Sequence, residues 1–140
     1  MNFPRLAVAA VVAWLAQIAF GYLVYQGLVA DQWTSPVFRE ALDVNFPLGL
    51  LASLAGLFLF SYMYAKGYEG GNGVQEGLRF GALVGLLLVC FGTIWGFVAM
   101  PLSAVLTLYL SVGIVLQLTL SGIVVGWVYR PTPSRSRRTP

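Results

Sequence analysis

The side chains that could exchange protons with a substrate concentrate in residues 66–79, KGYEGGNGVQEGLR. Acids, bases and a tyrosine could act as proton donors and acceptors there, and the glycines could cradle a phosphate with backbone N–H groups. The spacing argues against a phosphate loop, because GNGVQE ends in glutamate where G-x-G-x-x-G needs glycine, and no G-K-S or G-K-T follows. We therefore expect a turn between two helices, with Asn72 and Gln75 forming a capping box at the second helix.

The rest of the chain offers few chemical groups. It has no histidine, which excludes His-containing triads and metal ligation by imidazole, and its one cysteine, Cys90, excludes an internal disulfide or a cysteine cluster. We expect Cys90 to be a small buried apolar residue. The sequence therefore predicts no enzyme, no catalytic residue and no metal site. One catalytic alternative stays open, a site built on Lys66, Tyr68, Glu69 and Glu76.

Composition places the chain in a membrane. Apolar residues make up 59% and charged residues 9%, whereas soluble domains have about 45–50% and about 25%. Four apolar runs reach spanning length, at about 4–29, 47–65, 73–99 and 102–129. We predict an all-α bundle of four transmembrane helices as a single domain, residues 1–130, followed by a basic tail rich in proline and serine, residues 131–140.

Prolines and run lengths support these boundaries. Pro4 and Pro47 suit the first turn of a helix, where the missing N–H has no partner to lose, and Pro101 lies in a connection so short that its two helices must form a hairpin. The first run exceeds the roughly 7–15 residues of a signal-peptide core and no A-x-A site follows it. We expect it to stay as a membrane anchor.

Lysine and arginine predict the orientation. With four spans, Arg39 stands alone on one side of the membrane. The seven other basic residues share the opposite side: Arg5, Lys66, Arg79, Arg130, Arg135, Arg137 and Arg138. By the positive-inside rule, both termini are cytoplasmic, and the location is a bacterial inner membrane crossed several times. The tail arginines Arg130, Arg135, Arg137 and Arg138 are expected to contact anionic lipid or a partner.

The outer connection, residues 30–46, has an amphipathic pattern. Ser35 can cap a helix that Pro36 begins, and the apolar residues Val37, Phe38, Ala41 and Leu42 would share one face. We expect a short amphipathic helix on the outer membrane surface.

Glycines in the last two spans form smooth surfaces. At 100° per residue, those of the third span fall within about 100° of one another. They are Gly77, Gly81, Gly85, Gly92 and Gly96, and the fourth span adds a GxxxG pair, Gly122 and Gly126. Missing side chains let a neighbouring backbone or a flat ligand approach. Packing within the chain is one interpretation, and contact with another subunit or a pigment-like guest is the other.

Two amides lie deep in the predicted spans. Gln17 and Gln117 each stand about 18–20 Å from the cytoplasmic end of their helix, so they share one depth. We predict a Gln17–Gln117 hydrogen bond that clamps the first and fourth helices, worth about 0.6–2 kcal/mol. In the alternative interpretation these amides bind a guest such as a lipid, a quinone or a carotenoid, although no cofactor is required.

The segment KGYEGGNGVQEGLRFG and the four-span layout resemble small uncharacterised bacterial membrane proteins. This resemblance implies a four-helix membrane fold and no particular activity. Because we place no Asp, Glu, Lys or Arg within the hydrocarbon part of a span, proton relays and ion coupling are disfavoured. We expect a non-catalytic accessory subunit of a larger, energy-converting complex, photosynthetic or respiratory, whose partners are lipids and other membrane subunits and not nucleic acid. The alternative is a small-solute or lipid transporter or channel, working as a homo-oligomer.

Overall fold

The structure is a computed structural model that describes residues 2–28 and 36–129, with the side chains of residues 2–24 and 45–129. Every element in these ranges is helical, which confirms the predicted all-α fold. The elements are α1 Phe3–Leu28, α2 Pro36–Gly67, α3 Gly73–Leu88, a π-helical segment Val89–Thr93, α4 Ile94–Ala99 and α5 Ala104–Val128.

Four stretches are long and apolar enough to cross a membrane, as predicted. They are Phe3–Val24, Asn45–Gly67, Gly73–Ala99 and Ala104–Val128. The third stretch combines α3, the π-helical segment and α4, and is called the third span below. This is the architecture of a multi-pass membrane protein.

The second helix begins earlier than the proline pattern predicts. It starts at Pro36 and continues through Pro47, which therefore lies in the helix interior. An interior proline removes one backbone donor, and membrane helices tolerate this where neighbouring groups satisfy the freed carbonyl. Residues 36–46 are thus helical and continuous with the span. Their predicted amphipathic face falls mainly on side chains outside the described residues.

Two polar caps begin the later helices. The Asn72 side chain accepts a hydrogen bond from the Val74 N–H at 3.1 Å, and the Ser103 hydroxyl accepts one from the Leu106 N–H at 3.1 Å. These caps satisfy backbone donors that lack partners within the first turn. Among the described residues, Gln75 makes no hydrogen bond to the Asn72 N–H, so only the asparagine half of the predicted capping box is present.

The fourth span, α5, lies at the centre of the bundle. The third span packs along one side of it and α1 along another, while α2 packs mainly against α1. The short connections at residues 68–72 and 100–103 make α2 antiparallel to the third span and the third span antiparallel to α5, but only the third span and α5 pack along their length. Both predicted sets of site residues, the glycines and the glutamines, therefore involve contacts between α5 and another helix.

Buried side chains concentrate at one end of the bundle, where α1 begins and where α2 and α5 end. We call this the terminal end, and the other the distal end. The terminal cluster consists of Leu6, Ala9, Ala13, Leu57, Phe60, Tyr64, Leu118, Val125 and Tyr129. Towards the distal end, the described residues 14–24, 45–56, 86–99 and 104–117 include only two buried ones, Thr93 and Gly113. Among the residues whose side chains are described, packing is close at the terminal end and open at the distal end.

Candidate functional site

The closest helix contact joins the third span to α5 through glycines. A Cβ added to Gly77 would overlap the carbonyl oxygen of Gly122, and a Cβ added to Gly122 would overlap that of Gly77. Gly73 and Gly126 show the same reciprocal relation. The two backbones therefore touch directly, with Cα–H groups facing carbonyl oxygens, a geometry that adds weak hydrogen bonds to close packing.

Gly81 and Gly85 extend this contact towards the middle of the bundle. A Cβ on Gly81 would overlap the carbonyl oxygen of Leu118, and one on Gly85 would lie 2.8 Å from the Cα of Val115. Gly73 belongs to the same surface, although the predicted glycine stripe began at Gly77. Continuing the four-residue spacing backwards from Gly77 would have found it.

Gly92 and Gly96 do not join this contact. Among the described atoms, none lies within 4 Å of a Cβ built on Gly92, and the one such neighbour of Gly96 is Leu102 Cδ1 at 3.8 Å. The π-helical segment explains the difference, because its extra residue shifts the residues that follow by about 100° around the axis. Thr93 takes the place facing α5 that Gly92 would have had.

The two glutamines lie together but bond differently from the prediction. Gln117 Nε2 donates to the backbone carbonyl of Gln17 at 3.4 Å, and not to its side-chain amide. The Ser121 hydroxyl lies 2.9 Å from the Gln117 carbonyl and 3.5 Å from Gln17 Oε1. Since one hydroxyl has one hydrogen, the shorter bond takes it, and a rotated Gln17 amide would donate to Ser121 Oγ. Ser121 is therefore a third member of this polar contact between α1 and α5.

The acidic and aromatic side chains of the α2–α3 turn hold the turn itself. The Glu76 carboxylate accepts hydrogen bonds from the Gly71 N–H at 2.6 Å and from the Glu69 N–H at 3.1 Å. Tyr68 donates its hydroxyl to the Gly71 carbonyl at 2.7 Å, and Gly70 supplies the positive φ of 96°. Glu76 thus holds the turn and does not complete a capping box, because its carboxylate accepts from Glu69 and Gly71 and not from the N-cap residue Asn72.

Buried aromatic rings fix the end of α2 against the start of α3. The Phe60 and Phe80 ring centroids lie 4.8 Å apart, and Tyr64 meets Phe80 edge-on at 5.8 Å. The Tyr64 hydroxyl donates to the carbonyl of Gly73 at 2.9 Å. The first glycine of the α3–α5 contact is therefore held from both sides, by α5 and by α2.

A groove of about 340 Å³ lies towards the distal end, between α5 and the part of the third span around the π-helical segment. It is lined by Leu88, Gly92, Thr93, Gly96, Leu102, Leu110 and Ile114. Thr93 is its one polar side chain, 8% exposed, and its hydroxyl has no hydrogen-bond partner among the described residues. Within the same residues the other buried hydroxyl without a partner is that of Ser61, in the terminal-end core.

The remaining predicted positions are placed as follows. Cys90 is exposed on the third span, so the prediction that it is buried is wrong: this position turns away from α5. Within the described part of the chain, no three His, Cys, Asp or Glu residues come close enough to hold a metal ion. The tail arginines Arg130, Arg135, Arg137 and Arg138 lie outside the described residues.

No protein family, no curated protein and no solved structure matches the chain.

Proposed function

We propose that this protein is a non-catalytic accessory subunit whose distal half packs against helices of a larger membrane complex. The observation that supports the proposal is a set of helical glycines that the described chain does not use. Gly49 and Gly56 of α2 have no atom within 4 Å of an added Cβ. Glycine is about 1 kcal/mol less favourable than alanine inside a helix, so an unused glycine has a cost without a benefit in the isolated chain. A partner helix that packs there supplies the benefit.

The surface of α2 has the shape such a partner requires. Gly49, Ala52 and Gly56 are exposed and fall within about 60° around the helix. Beside them, Trp14 Nε1 donates to the Ser53 hydroxyl at 2.9 Å, which fixes α1 against α2. This bond leaves the small residues uncovered on one side, as a shallow strip where another helix could approach closely.

The expected setting follows from the charges. The basic residues of the terminal end favour cytoplasmic termini in a bacterial inner membrane, and the arginines of residues 130–140 are proposed to contact anionic lipid or the partner. The start of α2 is proposed to continue the span out of the lipid, as its amphipathic segment at the outer surface. We propose an energy-converting complex, photosynthetic or respiratory, as the host.

A pair of variants on α2 tests the partner surface. Gly56→Leu adds a side chain where the described chain has room, so the fold should persist while a partner helix is pushed away. Ala55→Leu adds a similar volume at an exposed position about 100° around the same helix and is the matched control. Tagged chains would be expressed at native level in the source organism and purified gently, and the copurifying polypeptides would be quantified.

We expect Gly56→Leu to lose its large partner while wild type and Ala55→Leu retain it. Equal recovery of the partner with both variants would refute the α2 surface. Recovery of this chain alone in several copies would instead favour the transporter or channel, whose polar path would have to use the contact between Gln17, Gln117 and Ser121.

A further inference from the structure

Thr93 differs from the hydroxyl residues of α5. In that helix, Ser and Thr side chains donate to the carbonyl four residues earlier, as Thr119 does to Val115 at 2.7 Å. The same bond is made by Thr107, Ser111 and Ser121. This is the usual way for a hydroxyl to be satisfied within a membrane helix. Thr93 makes no such bond and has no partner among the residues that the structure describes.

The π-helical segment accounts for the exception. The carbonyl four residues before Thr93 belongs to Val89, and it accepts the Ile94 N–H across the wider π turn. Widening the turn moves the Thr93 hydroxyl out of reach of that carbonyl. Thr93 is only 8% exposed, and a hydroxyl buried without a partner destabilises the fold because it has lost its hydrogen bonds to water. An acceptor supplied by a bound molecule would remove this cost.

The groove beside Thr93 has room for such a molecule. Its volume of about 340 Å³ lies at the lower end of the roughly 300–1,000 Å³ typical of small-molecule sites. Gly92 and Gly96, one turn apart, give it a flat wall without side chains, and Leu110 and Ile114 of α5 form the apolar wall opposite. A flat apolar body fits this shape, with one polar atom directed at Thr93.

The depth of Thr93 in the membrane distinguishes two sources of the acceptor, a phospholipid ester carbonyl and a molecule dissolved in the membrane interior. The charged side chains of Glu76 and Arg79 place the start of the third span outside the hydrocarbon, and the 20 residues from Phe80 to Ala99 extend about 30 Å, the thickness of the hydrocarbon layer. Thr93 lies six residues before Ala99, which places it about 9 Å inside the hydrocarbon. Phospholipid ester carbonyls lie outside that layer. A carbonyl at the depth of Thr93 belongs to a molecule dissolved in the membrane interior.

We propose that this groove binds a planar, carbonyl-bearing molecule of the membrane-quinone class, with its ring on Gly92 and Gly96 and one carbonyl accepting the Thr93 hydroxyl. The proposal concerns binding and includes no redox step. It does not depend on the accessory role, because every residue of the groove belongs to this chain.

The test uses the purified full chain in phosphatidylcholine nanodiscs, titrated with decylubiquinone and followed by native mass spectrometry. Thr93→Val removes the hydroxyl with little change in volume and should weaken binding about fivefold, the ratio that corresponds to one hydrogen bond of about 1 kcal/mol. Gly92→Leu fills the open space in the groove and should abolish the one-to-one adduct. The controls are Thr119→Val, whose hydroxyl is satisfied within α5, and Gly56→Leu, which fills open space on α2; both should bind like wild type.

A second readout separates a binding role from a structural one. Without decylubiquinone, Thr93→Val should be at least as thermally stable as wild type, because it removes a buried group without a partner. The quinone-class assignment is refuted if wild type gives no saturable adduct, if Thr93→Val and Gly92→Leu bind like wild type, or if Gly56→Leu weakens binding equally. Retention of phosphatidylcholine in wild type and its loss in Gly92→Leu, with no quinone adduct, would assign the groove to a phospholipid and also refute it.

Discussion

At the scale of single residues, the glycines of the third span differ in the room that the surrounding atoms leave for a side chain. Gly77 has no room for a methyl group because the Gly122 carbonyl occupies that place, whereas Gly92 has open space. Their identity in the sequence conceals this difference. Substitution by alanine reveals it, since the same added methyl group is forced against backbone at one site and free at the other.

We predict that Gly77→Ala lowers the free energy of unfolding by about 1–3 kcal/mol, because the α3–α5 backbones must separate. Gly92→Ala should leave it unchanged or raise it by up to about 1 kcal/mol, since only the helix propensity changes. Denaturant titration in detergent micelles, followed by circular dichroism, measures both. A similar loss for the two variants would show that the α3–α5 contact does not depend on Gly77.

At the scale of elements, the sequence predicts spans better than the registers within them. The third span was predicted at 73–99 and has these bounds, because a glycine-rich polar turn and Pro101 delimit a long apolar run. The π-helical segment escaped prediction, since a pattern analysed at 100° per residue assumes α geometry throughout. Gly92 and Gly96 were therefore predicted on the face of Gly77, and Thr93 was not among the predicted site residues.

The identity of hydrogen-bond partners could not be predicted from the sequence either. The shared depth of Gln17 and Gln117 follows from counting residues, but whether an amide meets an amide or a backbone carbonyl depends on helix rotation and on Ser121. Likewise, the hydrogen bond of Tyr64 was not predicted. Its link to Gly73 depends on the angle between α2 and α3, which the sequence pattern does not encode.

That link gives a prediction for the α2–α3 hairpin. Tyr64→Phe keeps the ring contacts and removes the hydroxyl that donates to Gly73, so the free energy of unfolding should fall by about 0.5–1.5 kcal/mol. Tyr62→Phe, at an exposed position on the same helix, is the matched control and should have no effect. The measurement is the same denaturant titration. Equal stability of the two variants would mean that the hydroxyl of Tyr64 contributes nothing to the hairpin.

At the scale of the whole molecule, close packing at the terminal end and openness at the distal end divide the protein into two parts. The terminal end holds the aromatic cluster, the first pairs of the α3–α5 glycine contact and the turn fixed by Glu76. The distal end holds Gly49, Gly56, Gly92 and the groove beside Thr93. The terminal end can keep the four spans together while the distal end remains available for other molecules.

The orientation of this asymmetric bundle can be measured directly. In a chain whose native cysteine is removed by Cys90→Ala, single cysteines would be introduced by Glu69→Cys in the α2–α3 turn and by Pro101→Cys in the α4–α5 turn, both exposed. With cytoplasmic termini, a membrane-impermeant maleimide should label Pro101→Cys in intact cells and should label Glu69→Cys only after lysis. The reverse pattern would overturn the orientation based on the basic residues.

The central claim is that other membrane proteins cover the distal half of this chain, and the mass of the natural particle tests it most directly. The full chain would be extracted from native membranes with a mild detergent or a membrane-solubilising polymer and weighed by native mass spectrometry. We predict a stoichiometric particle that contains the 15.2 kDa chain together with at least one different polypeptide. A mass of 15.2 kDa, or a whole multiple of it with bound lipid alone, would contradict the account.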